Sequence, residues 1–371
     1  VGERSVGREQ ILAFRAAGQS LDRRRPATKL ADVAGACGVQ DTPPGNADVS
    51  FATRLDIDGP VAKEAVAAKE LVLAWSLRGA PHLFPLEAFA VFTLGARPAD
   101  DTLEALWGQP EGALVEVEKA ILAVLRSTKP KAKGEVSAAV TASVPAELAP
   151  WCAACQAHHP KESLFRAAPL LGRLVLTSTA PVLLTRAKAW LGADATGDLD
   201  VLRTDLVRRY LHCYAPTTSG HFAEWAGITK SDAKERWAAV ADELVAVPGK
   251  RKRFVLEEDL DALDDPPAAT GVRLLPAKDV FLQARDRDVL FPDPAHRRSV
   301  FPNIGGPGVV LHEAVPVGTW RGSAKGKRYE VKVEAFSKLT KAMRADIEAE
   351  AERVAHVRGH ETATVVEAGD D

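Results

Sequence analysis

Between residues 199 and 260 apolar positions recur at helical spacing three times and then alternate. Leu202, Leu206, Tyr210 and Tyr214 line a first helix, which Pro216 ends. Thr217, Thr218 and Ser219 suit the cap of a short second helix carrying Phe222 and Trp225, stopped by Gly227. Ser231 is the expected cap of a third, with Ala233, Trp237, Val240 and Leu244 on one face and Lys234 and Arg236, candidate DNA contacts, on the other. "LVAVPGKRKRFVLEED" then reads as two short strands around a basic turn. Three helices and a ribbon follow the plan of a winged helix-turn-helix, with Lys250, Arg251, Lys252 and Arg253 at the wing tip, where phosphate is in reach. A small structural domain with a solvated charge run has the same pattern.

Weaker versions of this pattern occur upstream. Residues 111–144 read as helix, basic turn (Lys129, Lys131, Lys133) and helix, and 169–185 as two apolar strands. Helices are expected at 8–18, about 28–37 and 43–54, with strand and turn at 74–85. Proline- and acid-rich stretches at 96–102 and 192–200 mark junctions, giving three units of domain size: 1–97, 98–195 and 196–371. The third continues into an apolar strand within 271–292 and antiparallel hairpins over 306–336. Arg321, Lys325, Lys327, Arg328 and Lys332 cluster on one hairpin, either as a groove-entering ribbon or as lysines protecting a strand edge. An amphipathic helix at about 337–357 is expected to cap the structure.

Composition narrows the partners. The chain has 371 residues, 46% hydrophobic and 26% charged, in the ordinary globular range. A net charge of −2 confines nucleic-acid contact to local basic patches. No run of about eighteen apolar residues occurs, so no membrane partner is expected. Four cysteines in so long a chain fit a reducing cytoplasm.

Five short motifs, in order, carry a family resemblance: "GVQDTPPGNADVSFATR", "LRGAPHLFP", "YAPTTSGHFAEWAGI", "RLLPAKDVFLQARDR" and "VPVGTWR". From about residue 5 to residue 360 the chain resembles the winged-helix DNA-binding family that contains the bacterial DNA glycosylases AlkZ and YcaQ. The resemblance implies an α+β fold of three tandem winged helix-turn-helix domains in a C-shaped arrangement, acting as a monomer, nucleoid-associated in the cytoplasm. It implies excision of alkylated bases, chiefly bulky guanine N7 adducts, from double-stranded DNA. Relatives in antibiotic-producing actinobacteria protect the producer from its own genotoxin. The family's Gln-x-Gln element falls on Gln40, Asp41 and Thr42, so its second glutamine is a threonine here and its central apolar residue an aspartate. Arg54 follows fourteen residues after Gln40, and Arg78, Gly79 and His82 match a second motif.

Capping accounts for part of the first motif: Thr42 as N-cap, Pro43 at the first helical position and Asp41 favouring the helix dipole. It does not account for Gln40. An N7-alkylguanine is already a cationic leaving group, so its excision needs a held water and a counter-charge for the sugar. A glutamine carbonyl and a carboxylate supply these. Gln40 and Asp41 are therefore the expected catalytic residues, and Thr42 an orienting hydroxyl or a cap. Arg54 and Arg78 are expected either to bind phosphate or to brace the first domain, and His82 to reach the DNA site or to pack.

Cys152 and Cys155 with His158 and His159 have metal-like spacing, but Cys37 and Cys213 supply no second pair. Packing or a redox role are the alternatives for this cluster, so no metal is expected, and with neither a P-loop nor a GxGxxG motif no nucleotide or other organic cofactor is expected. A non-enzymatic DNA-binding regulator or shielding factor, and a protein that sequesters the genotoxin itself, are the rival readings.

Overall fold

The computed structural model describes residues 6–249 and 252–368. Along the chain run α1 (Arg8–Gly18), α2 (Leu30–Cys37) and α3 (Asn46–Arg54), then β1 (Leu71–Trp75) and β2 (Pro81–Pro85). There follow α4 (Ala113–Val124), α5 (Lys133–Thr141), the short strands β3 (Trp151–Cys152) and β4 (Ala157–His158), α6 (Glu162–Ala167), β5 (Leu174–Thr179) and β6 (Val182–Arg186). The helices α7 (Leu199–Tyr214), α8 (Ser219–Ala226) and α9 (Lys230–Ala238) precede the ribbon β7 (Leu244–Val247) and β8 (Arg253–Leu256). The C-terminal elements are β9 (Val272–Leu275), β10 (Gly308–His312), β11 (Val315–Lys325), β12 (Arg328–Ala335), α10 (Lys341–Val357) and β13 (Thr362–Glu367). The fold is mixed α+β.

Local signals explain most boundaries. Thr218 Oγ1 accepts the His221 N–H at 3.2 Å at the head of α8, and Gly227, at φ 76°, closes the helix. The cap of α9 is Thr229, not Ser231: Thr229 is extended and its hydroxyl accepts the Asp232 N–H at 3.2 Å, so the helix begins earlier than expected. Helix α3 begins at Asn46 rather than Pro43. Pro44 disfavours helical dihedrals at Pro43, and Gly45, in the left-handed region at φ 84°, occupies the N-cap. Thr42 is thus not the cap.

Two compact units interleave along the chain. One comprises residues 63–208 and 222–241. In it β2, β1, β5 and β6 form an antiparallel sheet with Lys131–Ala132 on its outer edge. Val117, Ile121, Val136 and Val140 on α4 and α5 are fully buried, and the Trp75 ring meets Phe165 edge-on at 6.0 Å.

The other unit comprises 1–62, 209–221 and 242–371. Its sheet runs β9-β10-β11-β12-β13. The strands are antiparallel up to β12, whose partner β13 is parallel to it. Strand β13 was not expected: the chain does not end on α10 but returns along the sheet edge, Val365 and Val366 registering with Val331 and Lys332. Helix α10 starts at Thr340, whose hydroxyl accepts the Met343 N–H at 3.1 Å. It turns Ile347, Ala351, Val354 and Ala355 inward, and α3 packs against both α10 and β9. A turn leaves β9 through Pro276-Ala277-Lys278-Asp279, with Lys278 at φ 64°, and runs into the 3₁₀ turn Val280–Gln283. That segment faces α3 and completes the site described next.

Candidate functional site

Gln40, Asp41 and Thr42 lie between α2 and α3, and all belong to the unit containing the β9–β13 sheet. Gln40 and Asp41 are largely buried, each 7% exposed. Asp41 Oδ1 accepts the Ala47 N–H at 3.1 Å, so the carboxylate sits at the positive end of α3 and takes the role expected of Thr42. The Thr42 carbonyl accepts from Asn46 Nδ2 at 3.2 Å. Its buried hydroxyl oxygen has no hydrogen-bond partner among the described residues.

The Gln40 carbonyl accepts from Gln283 Nε2 at 2.9 Å, and that same nitrogen donates to the Lys278 carbonyl at 3.0 Å. A second amide therefore stands beside Gln40, but it arrives from 243 positions away. The Gln40 carbonyl keeps a second lone pair. Asp48, early in α3, has no motif in the sequence to mark it. It accepts from the Val61 and Ala62 N–H groups at 2.7 and 2.8 Å. Burial raises its pKa above the ordinary carboxylate value, with the nearby Asp41 charge adding to the effect and the two N–H bonds opposing it. Arg358 closes the rim, donating from Nη2 to Asn46 Oδ1 at 2.5 Å.

Arg54 is the brace of this arrangement. Its Nη1 and Nη2 donate to the two Asp279 oxygens at 2.9 and 2.7 Å, and its Nε to the Gln19 carbonyl at 2.9 Å. Asp279 also accepts the Ser50 hydroxyl at 2.6 Å and the Phe281 N–H at 2.9 Å. Both members of the pair are 0–1% exposed at their side chains. A guanidinium so enclosed does not contact phosphate, so the bracing alternative holds and the DNA-contact alternative is corrected.

Arg236 needs the same correction. It is 4% exposed, bonded to Asp232 and to the Gly95 and Arg97 carbonyls. Arg253 pairs with Asp286 at 3.1 Å, and Asp286 also holds the buried Arg15. Lys234 is exposed, and Lys252 is exposed with its ammonium 5.2 Å from the Phe254 ring centre. Lys250 and Arg251 lie outside the described residues. Arg321, Lys325, Lys327 and Arg328 are all exposed on the outer half of the β11–β12 hairpin. Its two-residue turn puts Gly326 at φ 63°, a conformation glycine adopts without strain.

Arg78 and His82 belong to the other unit. Arg78 is exposed, at φ 56°, between β1 and β2. It borders a cavity of about 310 Å³ with Ser76, Trp107, Glu162 and Arg166. His82 is 1% exposed on β2, its Nδ1 2.9 Å from the Ala80 carbonyl, so it packs in the sheet rather than reaching a surface. Burial, then the Arg78 charge, lowers its pKa from 6.5 to about 3, against the Ala80 carbonyl's opposing pull. The folded state therefore holds His82 neutral where the unfolded chain would protonate it. Stability from this group is full above about pH 6.5 and is lost as pH falls toward 3, at about 1.4 kcal/mol per pH unit. Thermal unfolding at pH 7, 6 and 5 is expected to show a steeper acid loss in the wild type than in His82→Gln.

A family model described as "DNA glycosylase AlkZ-like" matches residues 33–357. An "Interstrand DNA cross-link repair glycosylase" from Streptomyces sahachiroi is 26% identical over 342 residues, spanning 84% of this chain and 86% of that protein. The solved "Streptomyces sahachiroi DNA glycosylase AlkZ" matches with a TM-score of 0.78 at 23% identity, covering 98% of this chain and 100% of that one. The chain has that structure's fold.

Proposed function

We propose that this chain, which belongs to the AlkZ-like DNA glycosylase family, hydrolyses the N-glycosidic bond of N7-alkylguanines in double-stranded DNA, bulky adducts included. DNA is the partner the family implies; the lesion and the residue roles are our reading. One observation carries it: Gln40 and Asp41 lie side by side at the mouth of α3, with the Gln40 carboxamide anchored by Gln283.

The N7-alkylated base leaves with the electron pair of the C1′–N9 bond and becomes neutral, so no general acid is needed. The sugar becomes oxocarbenium-like. The free lone pair of the Gln40 carbonyl accepts a hydrogen bond from water and aims its oxygen at C1′. Asp41 opposes the developing positive charge and takes the water's proton as the new C–O bond forms. The Ala47 N–H fixes one carboxylate oxygen and thereby orients the other. Thr42, whose buried hydroxyl oxygen has no partner among the described residues, completes the water's surroundings. Gln283 is a positioning residue and stands in for the amide that the motif loses at Thr42. A guanine–guanine crosslink through two N7 atoms presents the same bond twice, so crosslinks fall within the substrate class. Self-protection of a cell that makes such an alkylating agent is the corresponding biological setting.

We assign the α7-α8-α9 helices and the β7–β8 ribbon to one winged helix, in a monomer built from three. The basic half of the β11–β12 hairpin is the proposed phosphate contact. Among the described residues these charges meet surface groups, Lys327 with Glu361 at 2.8 Å, Lys325 with Glu330 at 3.9 Å and Arg321 Nη2 donating to the Gly305 carbonyl at 2.9 Å, and a phosphate can replace such exposed partners. Replacing Arg321, Lys325, Lys327 and Arg328 by alanine is expected to weaken duplex binding. The slope of log K against log salt should become shallower by about 0.9 for each phosphate that is no longer neutralised. Fluorescence anisotropy across a salt series reads both.

The function itself is tested by incubating the protein with a duplex carrying one 7-methylguanine and measuring free 7-methylguanine by mass spectrometry. Release with a matching alkali-labile site supports the reading. Tight binding with no release would favour the non-enzymatic shielding factor.

A further inference from the structure

Cys152, Cys155 and His159 converge on one end of the β3–β4 hairpin, their sulfur and ring-nitrogen atoms all within 4.8 Å of one another. The hairpin is only two residue pairs long, Trp151 with His158 and Cys152 with Ala157. Most of it is exposed, and two such pairs do not hold themselves together in water. The turn is tight: Gln156 is at φ 50°, and its side chain donates to the Ala153 carbonyl at 2.7 Å.

The two histidines differ in their surroundings. The His158 ring meets Trp151 edge-on at 5.4 Å, and its Nδ1 lies 3.1 Å from the Ala149 carbonyl. It takes no part in the cluster. His159 Nδ1 lies 2.8 Å from the Pro160 carbonyl, which can only accept, so Nδ1 carries the proton. Nε2 is then left with its lone pair on the side of the Cys152 thiol. This is the second contact that metal-binding histidines use to fix their tautomer. The Cys152 thiol is drawn down to about 7, first by the Cys155 backbone N–H and next by the His159 ring.

We propose that Cys152, Cys155 and His159 bind one zinc ion, with the fourth tetrahedral position open to water. Two thiolates and an imidazole are a zinc donor set. Spacings under 4.8 Å need only slight closure around a metal with bonds of about 2.0–2.3 Å. Glu162 is not the fourth ligand: Lys133 Nζ and Arg166 Nε hold one of its oxygens at 2.6 and 2.5 Å. Among the described residues no other histidine, cysteine or carboxylate joins the group. Binding releases the two thiol protons as both sulfurs become zinc thiolates, and no electron is transferred. The second cysteine pair that the sequence spacing lacked is unnecessary, because His159 fills the third position. Three residues beyond it α6 begins, carrying Glu162 and Arg166 to the cavity beside Arg78. Zinc would tie the hairpin to the start of that helix.

The test uses the full-length chain, reduced, stripped with chelator, loaded with zinc chloride and gel-filtered, with metal counted by mass spectrometry. One zinc per chain is expected. Cys152→Ser, Cys155→Ser and His159→Ala each are expected to lose at least about tenfold in zinc affinity, while His158→Ala retains one zinc. Cobalt(II) in place of zinc is expected to give tetrahedral d–d bands and a thiolate-to-cobalt charge-transfer band, both absent in the Cys152→Ser variant. The proposal is overturned if the reduced wild type retains no zinc, or if His158→Ala loses as much as His159→Ala. It is equally overturned if the cobalt spectrum is octahedral. A readily formed Cys152–Cys155 disulfide in a chain that ignores zinc would identify a redox pair instead.

Discussion

Arg54→Met is expected to destabilise the fold by about 3–5 kcal/mol, measured as a shift in the denaturant midpoint. The reason is the charge left behind. Asp279 is buried and accepts two guanidinium bonds, the Ser50 hydroxyl and the Phe281 N–H. Without Arg54 its negative charge has no counter-ion in a site water does not reach. Asp279→Asn leaves the converse problem, an enclosed guanidinium with no anion. The double variant Arg54→Met/Asp279→Leu is expected to be less destabilised than the sum of the single changes, because neither charge remains. Asp279 also caps the turn that carries Gln283. Its loss should therefore slow base release more than stability alone explains. Single variants within about 1 kcal/mol of wild type would show that the pair is not the brace described.

Asp41→Asn is expected to slow base release by about 10²–10³, the size of effect seen when a group serving transition-state charge is removed. Asparagine keeps an oxygen for the Ala47 N–H, so α3 retains its cap and the fold is preserved. What disappears is the negative charge that the proposed mechanism sets against the sugar. Gln40→Ala removes the acceptor for water and is expected to cost a similar factor. Gln283→Ala removes one hydrogen bond from the Gln40 carbonyl, and about a tenfold slowing is expected from that change. All three should leave duplex affinity unchanged, since none is a phosphate contact. A loss in rate without a loss in binding distinguishes chemistry from docking.

Much of the fold was legible because it is written in local pattern. The helix at 8–18, the three helices before the wing and the hairpins after residue 306 follow from periodicity and from Pro216, Gly227 and Gly326. What was not legible depends on long-range packing. Arg54 reads equally as brace or phosphate contact until Asp279 is known to meet it, 225 positions along the chain. Gln283 lies inside a recognisable motif, yet nothing local says that its amide faces Gln40. Thr42-Pro43 looks like a helix start, and only the second proline and Gly45 hinted that the turn would run longer. Arg236 falls on the polar side of a helical wheel but is buried by carbonyls of residues 95 and 97. Strand β13 follows a helix that seemed terminal, and its short Thr362–Glu367 alternation takes its meaning from the open edge of β12.

The most direct test is a single-turnover cycle on a duplex bearing one 7-methylguanine, with wild type, Gln40→Ala, Asp41→Asn and the double variant compared at saturating protein. The account predicts free 7-methylguanine from the wild type, about 10²–10³ slower release from each single variant, and little further loss in the double, because the two groups serve one water and one sugar. Release at the wild-type rate by the double variant, with binding intact, would contradict it.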